Sequence, residues 1–177
     1  MSSNRRIEDF LVQSAGDGAQ EYREILTRKL FHVNAELLKS SRGYKATIGI
    51  IVQYFKDVLE MKFSNYPTLL GVSGANLGIP FNIIGINKRS GKTCTETLIM
   101  VNPRIVDRSR RTIDVRSNCG SVRLKEPIRV SRNVWVEVEY YSEKGVIAIK
   151  KFSGLVARTI QHEVDHNNGI LITDYEE

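Results

Sequence analysis

The chain has 177 residues, with 26 lysines and arginines against 20 aspartates and glutamates, and a formal net charge of +6. This length predicts one domain with a single core, and 41% hydrophobic with 26% charged residues is typical of a globular protein. No apolar run approaches the ~20 residues that cross a bilayer, and charges among the first ten residues exclude a secretory signal, so we expect a soluble, cytoplasmic protein.

The first 20 residues are polar and end in the turn signal Gly16-Asp17-Gly18, which predicts a loosely attached N-terminal extension. Residues 21–177 are predicted to form the single domain. Its first part, residues 21–39, is weakly helical or irregular. Between Ala46 and Phe63 the apolar residues recur at three- and four-residue steps, which predicts an amphipathic helix that covers one face of a sheet.

Beyond this helix the pattern changes to short strands, predicted at residues 81–87 and 97–102 and in a hairpin over residues 132–152. In the hairpin, every second residue from Val134 to Tyr140 is apolar, which is the period of a half-buried strand. Residues 142–145 supply the turn between its two strands.

The last predicted helix begins at Ser153, which can cap its start, and ends at Asn167-Asn168-Gly169. Its predicted apolar face consists of Leu155, Val156, Ile160 and Val164. The order of helix, several strands and helix, without internal repeats, predicts an α+β protein.

This helix contains the pattern His-Glu-x-x-His, from His162 to His166. Four residues advance a helix by about 400°, so both imidazoles lie on one face and can bind one ion. Glu163 projects beside that face, where it can act as general acid and base on a water molecule. The pattern predicts a metal-dependent hydrolase.

A third ligand is offered by either of two cysteines. Cys119 sits among small residues, where the backbone can approach another group closely, and Cys94 lies in a polar loop. Spacing alone leaves both open. A thiolate with two imidazoles leaves one coordination position free, as in catalytic sites. The remaining histidine, His32, is predicted to be structural or exposed.

Three stretches resemble motifs of the peptide deformylases, a family that removes the formyl group from N-formylmethionyl peptides. The family's third motif is similar to residues 162–174. Its second, Glu-Gly-Cys-aliphatic-Ser, aligns with Ser-Asn-Cys-Gly-Ser at 117–121, and its first, Gly-aliphatic-Gly-aliphatic-Ala-Ala-x-Gln, aligns with residues 69–76. The resemblance extends over roughly residues 25–175.

The resemblance implies an α+β fold with small antiparallel sheets around a central, metal-bearing C-terminal helix. It implies three metal ligands: Cys119, His162 and His166. The ion would be one divalent metal, Fe²⁺ in cells, with Zn²⁺, Ni²⁺ or Co²⁺ as substitutes. Glu163 would exchange protons, and the Asn76 side chain and the Gly120 N–H would polarise the formyl oxygen of an N-formylmethionyl peptide.

Three residues depart from the family pattern. Asn76 replaces a glutamine and is one methylene shorter, so its amide would fall about 1 Å short of the oxygen, and losing one such donor costs ~10²–10³ in rate. Ser117 lacks the charge of the family's glutamate, and Gly120 lacks the bulk of an aliphatic residue. We therefore expect weakened activity or altered substrate choice.

Expected partners follow from the same resemblance. The chain stops at Glu177 without the C-terminal helix by which many bacterial members dock on the ribosome, so only transient ribosome contact is expected. No motif predicts specific nucleic-acid binding or a membrane partner. A cluster of arginines is predicted to lie in a solvated turn: Arg104, Arg108, Arg110 and Arg111.

Two alternative functions remain open from the sequence. The first is a metallohydrolase of the same fold that acts on another formyl or acyl amide, suggested by the changes at Ser117, Gly120 and Asn76. The second is a catalytically silent protein that binds formylated peptides or a protein partner, with the arginine cluster as its contact surface. Glu163 argues against the second, because a binding protein needs no general base beside the ion.

Overall fold

The structure, a computed structural model, describes residues 49–77, 79, 81–90, 93–122 and 124–175. The predicted N-terminal extension, the segment 21–39 and His32 lie outside these residues. The helices are α1 (Gly49–Asn65) and α2 (Gly154–Asn167), and short 3-10 helices span Ala75–Leu77 and Ile172–Tyr175. The strands are β1 (Gly71–Ser73), β2 (Ile83–Ser90), β3 (Thr93–Arg108), β4 (Thr112–Ser117), β5 (Ile128–Asn133), β6 (Trp135–Tyr141) and β7 (Ile147–Ser153).

The strands form two antiparallel sheets. Five of them pair in the order β1-β2-β3-β6-β7, and β4 pairs with β5 in a separate two-stranded sheet. The predicted α+β class is confirmed. None of the described helices is long and apolar enough to span a membrane.

The five-stranded sheet separates the two helices, because successive side chains of a strand point to opposite faces. On β2, Ile83 packs in the same apolar cluster as Phe55 and Leu59 of α1. The next residue, Ile84, packs with Ile160 of α2 on the other face. The predicted cover of one sheet face by α1 is confirmed, and α2 covers the other.

Helix α1 approaches the sheet closely at Gly85 of β2. A Cβ atom placed on this glycine would lie 2.2 Å from Cδ1 of Leu59. Only a residue without a side chain allows Leu59, which is fully buried, to rest on the strand here.

Several predicted elements are confirmed and others are wrong in part. The hairpin is confirmed as β6 and β7, while β3 is longer than the predicted strand at 97–102. Strands β1, β4 and β5 were not predicted. Ser153 occupies the N-cap position of α2 but its side chain makes no cap hydrogen bond. Leu155 is 47% exposed and not part of the buried face, because it lies in the first turn of α2 on the side of His162.

Candidate metal centre

Helix α2 carries both histidines on one face and is fixed at its C-terminal end. Gly169, with φ of 76°, donates its N–H to the carbonyl of His166 at 3.1 Å, and Ile170 donates to the carbonyl of Asp165 at 2.9 Å. This pair of bonds is the Schellman motif, which satisfies the last carbonyls of the helix. The predicted helix end is confirmed, and it lies within one turn of His166.

Cys119 reaches the histidines from the turn that follows β4. Its Sγ lies 3.3 Å from Nε2 of His166, and that nitrogen lies 3.1 Å from Nε2 of His162. The three potential ligand atoms all lie within 4.8 Å of one another. Cys94, the alternative ligand, lies on β3, and its side chain is outside the described part of the chain.

These donor atoms fit a divalent metal ion. Ligand atoms bound about 2.0–2.3 Å from one tetrahedral ion lie about 3.3–3.8 Å apart. The 3.3 Å from Sγ of Cys119 to Nε2 of His166 and the 3.1 Å between the two imidazole nitrogens are close to this range. The thiol and two imidazoles supply soft and borderline donors that suit iron, zinc, nickel or cobalt. Within the described residues, this is the group of cysteine, histidine and acidic side chains that converges closely enough to hold an ion.

Burial prepares the histidines for binding a cation. It lowers the pKa of His162 to about 4, with a smaller contribution from the positive charge of Arg132. It lowers the pKa of His166 to about 3, followed by the influence of His162 and then Arg132. Both rings are therefore neutral near pH 7 and keep a lone pair for a metal. Burial also raises the pKa of the Cys119 thiol, so a thiolate here needs a nearby cation.

Glu163 lies beside this cluster and is only 4% exposed. Its Oε2 has no hydrogen-bond partner among the described residues. Burial, and then the charge of Asp165, raises the pKa of Glu163 to about 8. A carboxyl group whose pKa lies near neutrality can accept and release protons at physiological pH, which is what general acid–base catalysis requires.

The close approach of β1 to α2 explains how Glu163 comes to be buried. A Cβ atom on Gly71 would lie 2.6 Å from Cγ2 of Thr159 and 2.8 Å from Oε1 of Glu163. Any larger residue at this position would push the helix away from the strand. The missing side chain of Gly71 therefore lets β1 pack directly against Glu163 and shield its carboxyl group on this side.

Asn76 links the stretch after β1 to the turn that carries Cys119. Its Oδ1 accepts hydrogen bonds from the N–H and the hydroxyl of Ser73, at 2.8 and 2.5 Å. Its Nδ2 donates to Oγ of Ser121 at 2.8 Å. The N–H of Ser121 in turn points at Sγ of Cys119, at 3.4 Å. The amide of Asn76 is thus held in a fixed orientation at the edge of the site.

Gly120 lies next to Cys119 and is exposed. A Cβ atom built on it would meet no atom within 4 Å among the described residues. The backbone here does not need glycine, so its absence of a side chain leaves open space beside the thiol.

An ion pair between buried Arg132 and half-buried Asp165 was not predicted from the sequence. Arg132, 5% exposed, donates to Oδ2 of Asp165 at 2.5 Å, and the hydroxyl of Tyr175 donates to the same oxygen at 2.8 Å. Asp165 precedes His166 directly, so the pair fixes the helix backbone at a candidate metal ligand. The sequence did offer one indication of this pair: Asp165 lies inside the His-Glu-x-x-His pattern on a helix that packs against the sheet. A carboxylate removed from water needs a cationic partner.

The site opens into a cavity of about 760 Å³. Its lining includes every residue proposed from the sequence for the site: Asn76, Cys119, Gly120, His162, Glu163 and His166. The structure therefore brings these residues together around one opening. Two arginines that the sequence did not single out, Arg116 and Arg158, also line it. The signal for Arg158 was its position four residues before His162, on the same helix face.

A family model and the similar proteins described below all point to the same family. The family model for polypeptide deformylase matches residues 27–176. A peptide deformylase of Synechocystis sp. is 32% identical over 119 residues, which cover 67% of this chain and 62% of that protein. A peptide deformylase of Orientia tsutsugamushi is 31% identical over 134 residues, covering 71% of this chain and 72% of that protein.

A similar fold occurs in a solved structure, the Met-Ala-Ser-bound class I type b peptide deformylase from Acinetobacter baumannii. Its TM-score is 0.69 at 26% sequence identity, and the match covers 92% of this chain and 96% of that chain. The arrangement of sheets and helices is therefore shared with an experimentally determined structure.

Proposed function

Because this chain belongs to the polypeptide deformylase family, whose model matches residues 27–176, we propose that it is a metal-dependent hydrolase that removes the formyl group from N-formylmethionyl peptides. The observation that carries the proposal is the convergence of Cys119, His162 and His166 beside the buried carboxyl group of Glu163.

In the proposed reaction, Cys119, His162 and His166 hold one divalent ion. When bound, such an ion supplies Lewis acidity, which lowers the pKa of water and polarises a carbonyl oxygen. Glu163 takes the proton from the water that attacks the formyl carbon. It then passes this proton to the amine nitrogen of the peptide as the carbon–nitrogen bond breaks. Formate and a free N-terminal amine are the products.

Charge on the formyl oxygen is proposed to be met by the N–H of Gly120 and the side-chain amide of Asn76. Both residues line the cavity, and the Asn76 nitrogen faces Ser121 in the turn that bears Cys119. A fixed donor costs no reorganisation as charge develops, which is why its orientation by Ser73 supports this role. The shorter side chain of Asn76 is expected to weaken the reaction relative to a glutamine.

Support for a peptide substrate comes from a relative. The Acinetobacter baumannii protein binds Met-Ala-Ser, and its chain superposes on most of this one. The cavity here, about 760 Å³, is within the range of about 300–1,000 Å³ typical of sites for small ligands.

We also propose Fe²⁺ as the ion in cells, the cytoplasm as the compartment and transient contact with the ribosome. These proposals rest on the family resemblance, and the ligand set is compatible with Zn²⁺, Ni²⁺ or Co²⁺ as well.

The direct test is formate release from formyl-Met-Ala-Ser by anaerobically iron-loaded protein. We expect measurable turnover that rises in Asn76→Gln, because the longer amide reaches the formyl oxygen. Absence of formate from wild type and variant, despite one bound metal per chain, would exclude this activity and favour a different amide substrate or a binding role.

A further inference from the structure

The cavity that contains the candidate metal centre is bordered by basic side chains from three separate elements. We name Lys62 of α1, Arg116 of β4 and Arg158 of α2 the basic rim. Arg116 is exposed, and the other two are half-buried. Because distant parts of the chain each contribute one cation to the same opening, the charge is a property of the site and not of one segment.

Within the described part of the chain, no carboxylate pairs with a member of the basic rim. Salt bridges elsewhere on the surface join Lys56 to Glu143, Lys88 to Glu96 and Arg104 to Glu139. Arg132, the fourth cation of the lining, is already paired with Asp165. The carboxyl group of the lining belongs to Glu163, which is buried and not at the opening.

One member of the basic rim, Arg116, lies opposite another arginine, which is unfavourable for the stability of the fold. Arg116 pairs across the two-stranded sheet with Arg129, in the same register position. Residues directly opposite in an antiparallel pair share a face, and like charges there are destabilising. Asp114, two residues before Arg116 on the same face, offsets part of this repulsion, and an anion bound in the cavity beside Arg116 would offset more of it.

We propose that the basic rim makes the enzyme select formylated peptides that carry a carboxylate within their first three residues. This inference rests on the proposed function and names its substrate class. A cleft lined by one sign of charge attracts ligands of the opposite sign, and guanidinium groups match carboxylates with two parallel hydrogen bonds. The carboxylate comes either from an acidic side chain or from the C-terminus of a very short peptide.

The test compares kcat/KM for matched peptides in iron-loaded protein. Formyl-Met-Asp-Ser amide is set against formyl-Met-Asn-Ser amide, which isolates the side chain, and formyl-Met-Ala-Ser is set against its amide, which isolates the C-terminus. We expect an advantage of about two- to fivefold for the charged member of at least one pair at low salt. The advantage should shrink as salt screens the charges.

Substitutions in the basic rim test whether it causes the preference for charged peptides. Arg116→Gln and Arg158→Gln should each reduce the advantage, and Arg158→Glu, which lowers the summed charge of the basic rim from +3 to +1, should reduce it further. Arg108, an exposed arginine of β3 outside the cavity lining, provides the matched control, and Arg108→Gln should leave the ratio unchanged. Equal rates for charged and neutral peptides in the wild type would overturn the inference while leaving the proposed function intact.

If turnover is absent, measuring the binding of product peptides tests the basic rim separately from the proposed deformylase activity. Titration calorimetry of zinc-loaded protein with the products Met-Asp-Ser amide and Met-Asn-Ser amide, and with Met-Ala-Ser and its amide, measures the preference without chemistry. Tighter, salt-sensitive binding of a charged product without any formate release would support the basic rim and reject the deformylase activity. Equal binding within both pairs would reject the basic rim.

Discussion

The two helices pack on opposite faces of one sheet but bury different kinds of side chain. α1 has 17 residues, and those it buries are all apolar: Val52, Phe55, Leu59 and Phe63. α2 has 14 residues, and its buried set is mixed: Ala157, Thr159, Ile160, Gln161, Glu163, Val164 and His166. The first helix uses its buried face for stability alone, whereas the second buries groups whose desolvation costs free energy.

The polar groups of α2 divide further by how well they are bonded. Gln161 donates from its amide to the carbonyls of Asn133 and Ala157 and accepts from the N–H of Asn133. It therefore joins the helix to β5 as a structural residue. Glu163, in contrast, keeps a buried oxygen without a partner among the described residues. An unsatisfied buried group is destabilising, and the proton transfer proposed for Glu163 would account for its presence.

The largest expected effect is the loss of activity when Glu163 of α2 is replaced. Glu163→Gln keeps the shape of the side chain but cannot exchange a proton, so we expect formate release to fall by about 10²–10⁴. One metal per chain should remain bound, because Glu163 is not among the three proposed ligands. The unfolding free energy of the metal-free variant, from urea titration, should equal or exceed that of wild type. A large loss of stability would mean that Glu163 is structural.

For α1 we expect the opposite result: a substitution should lower stability and leave activity nearly unchanged. Leu59→Ala removes a fully buried side chain from the apolar cluster, so the unfolding free energy should fall by about 2–5 kcal/mol. The kcat of the fraction that remains folded should stay close to that of wild type. A selective fall in kcat at temperatures where the protein is fully folded would contradict the division of roles between the helices.

The sequence predicts those features of the two helices that leave a local pattern in it, and it does not predict contacts between distant residues. The apolar period of α1 and the spacing of His162 and His166 are local, so both helices could be placed from the sequence. β4 was missed because it is short, and its apolar alternation is limited to Ile113 and Val115, neither of which is buried. The pairing of Arg132 with Asp165 was missed because it joins residues 33 positions apart and depends on tertiary contact.

A smaller effect tests the contact between α1 and β2. Gly85→Ala places a methyl group against Leu59, and overpacking of this kind costs about 1–3 kcal/mol. The loss should be smaller when Leu59→Ala is also present, because the atoms that the methyl group meets are then removed. A double-mutant cycle on unfolding free energies measures this coupling. Additive losses would show that the close contact at Gly85 does not determine the packing.

The smallest expected effect on stability lies at the mouth of the site. Gly120→Leu adds a side chain into open space, so the unfolding free energy should change by no more than about 0.5 kcal/mol. Because the new side chain narrows the cavity beside Cys119, KM for formyl-Met-Ala-Ser should change. An unaltered KM would indicate that Gly120 does not border the bound peptide.

The central claim is that the polar face of α2 is buried to hold one metal ion, and Co²⁺ binding tests it most directly. Titration of metal-free protein followed by visible absorption should saturate at one equivalent, with bands of four-coordinate cobalt and a thiolate charge-transfer band. Cys119→Ala should abolish the charge-transfer band, and His166→Ala should weaken binding strongly. Failure to bind one equivalent, or a thiolate band that persists in Cys119→Ala, would contradict the account.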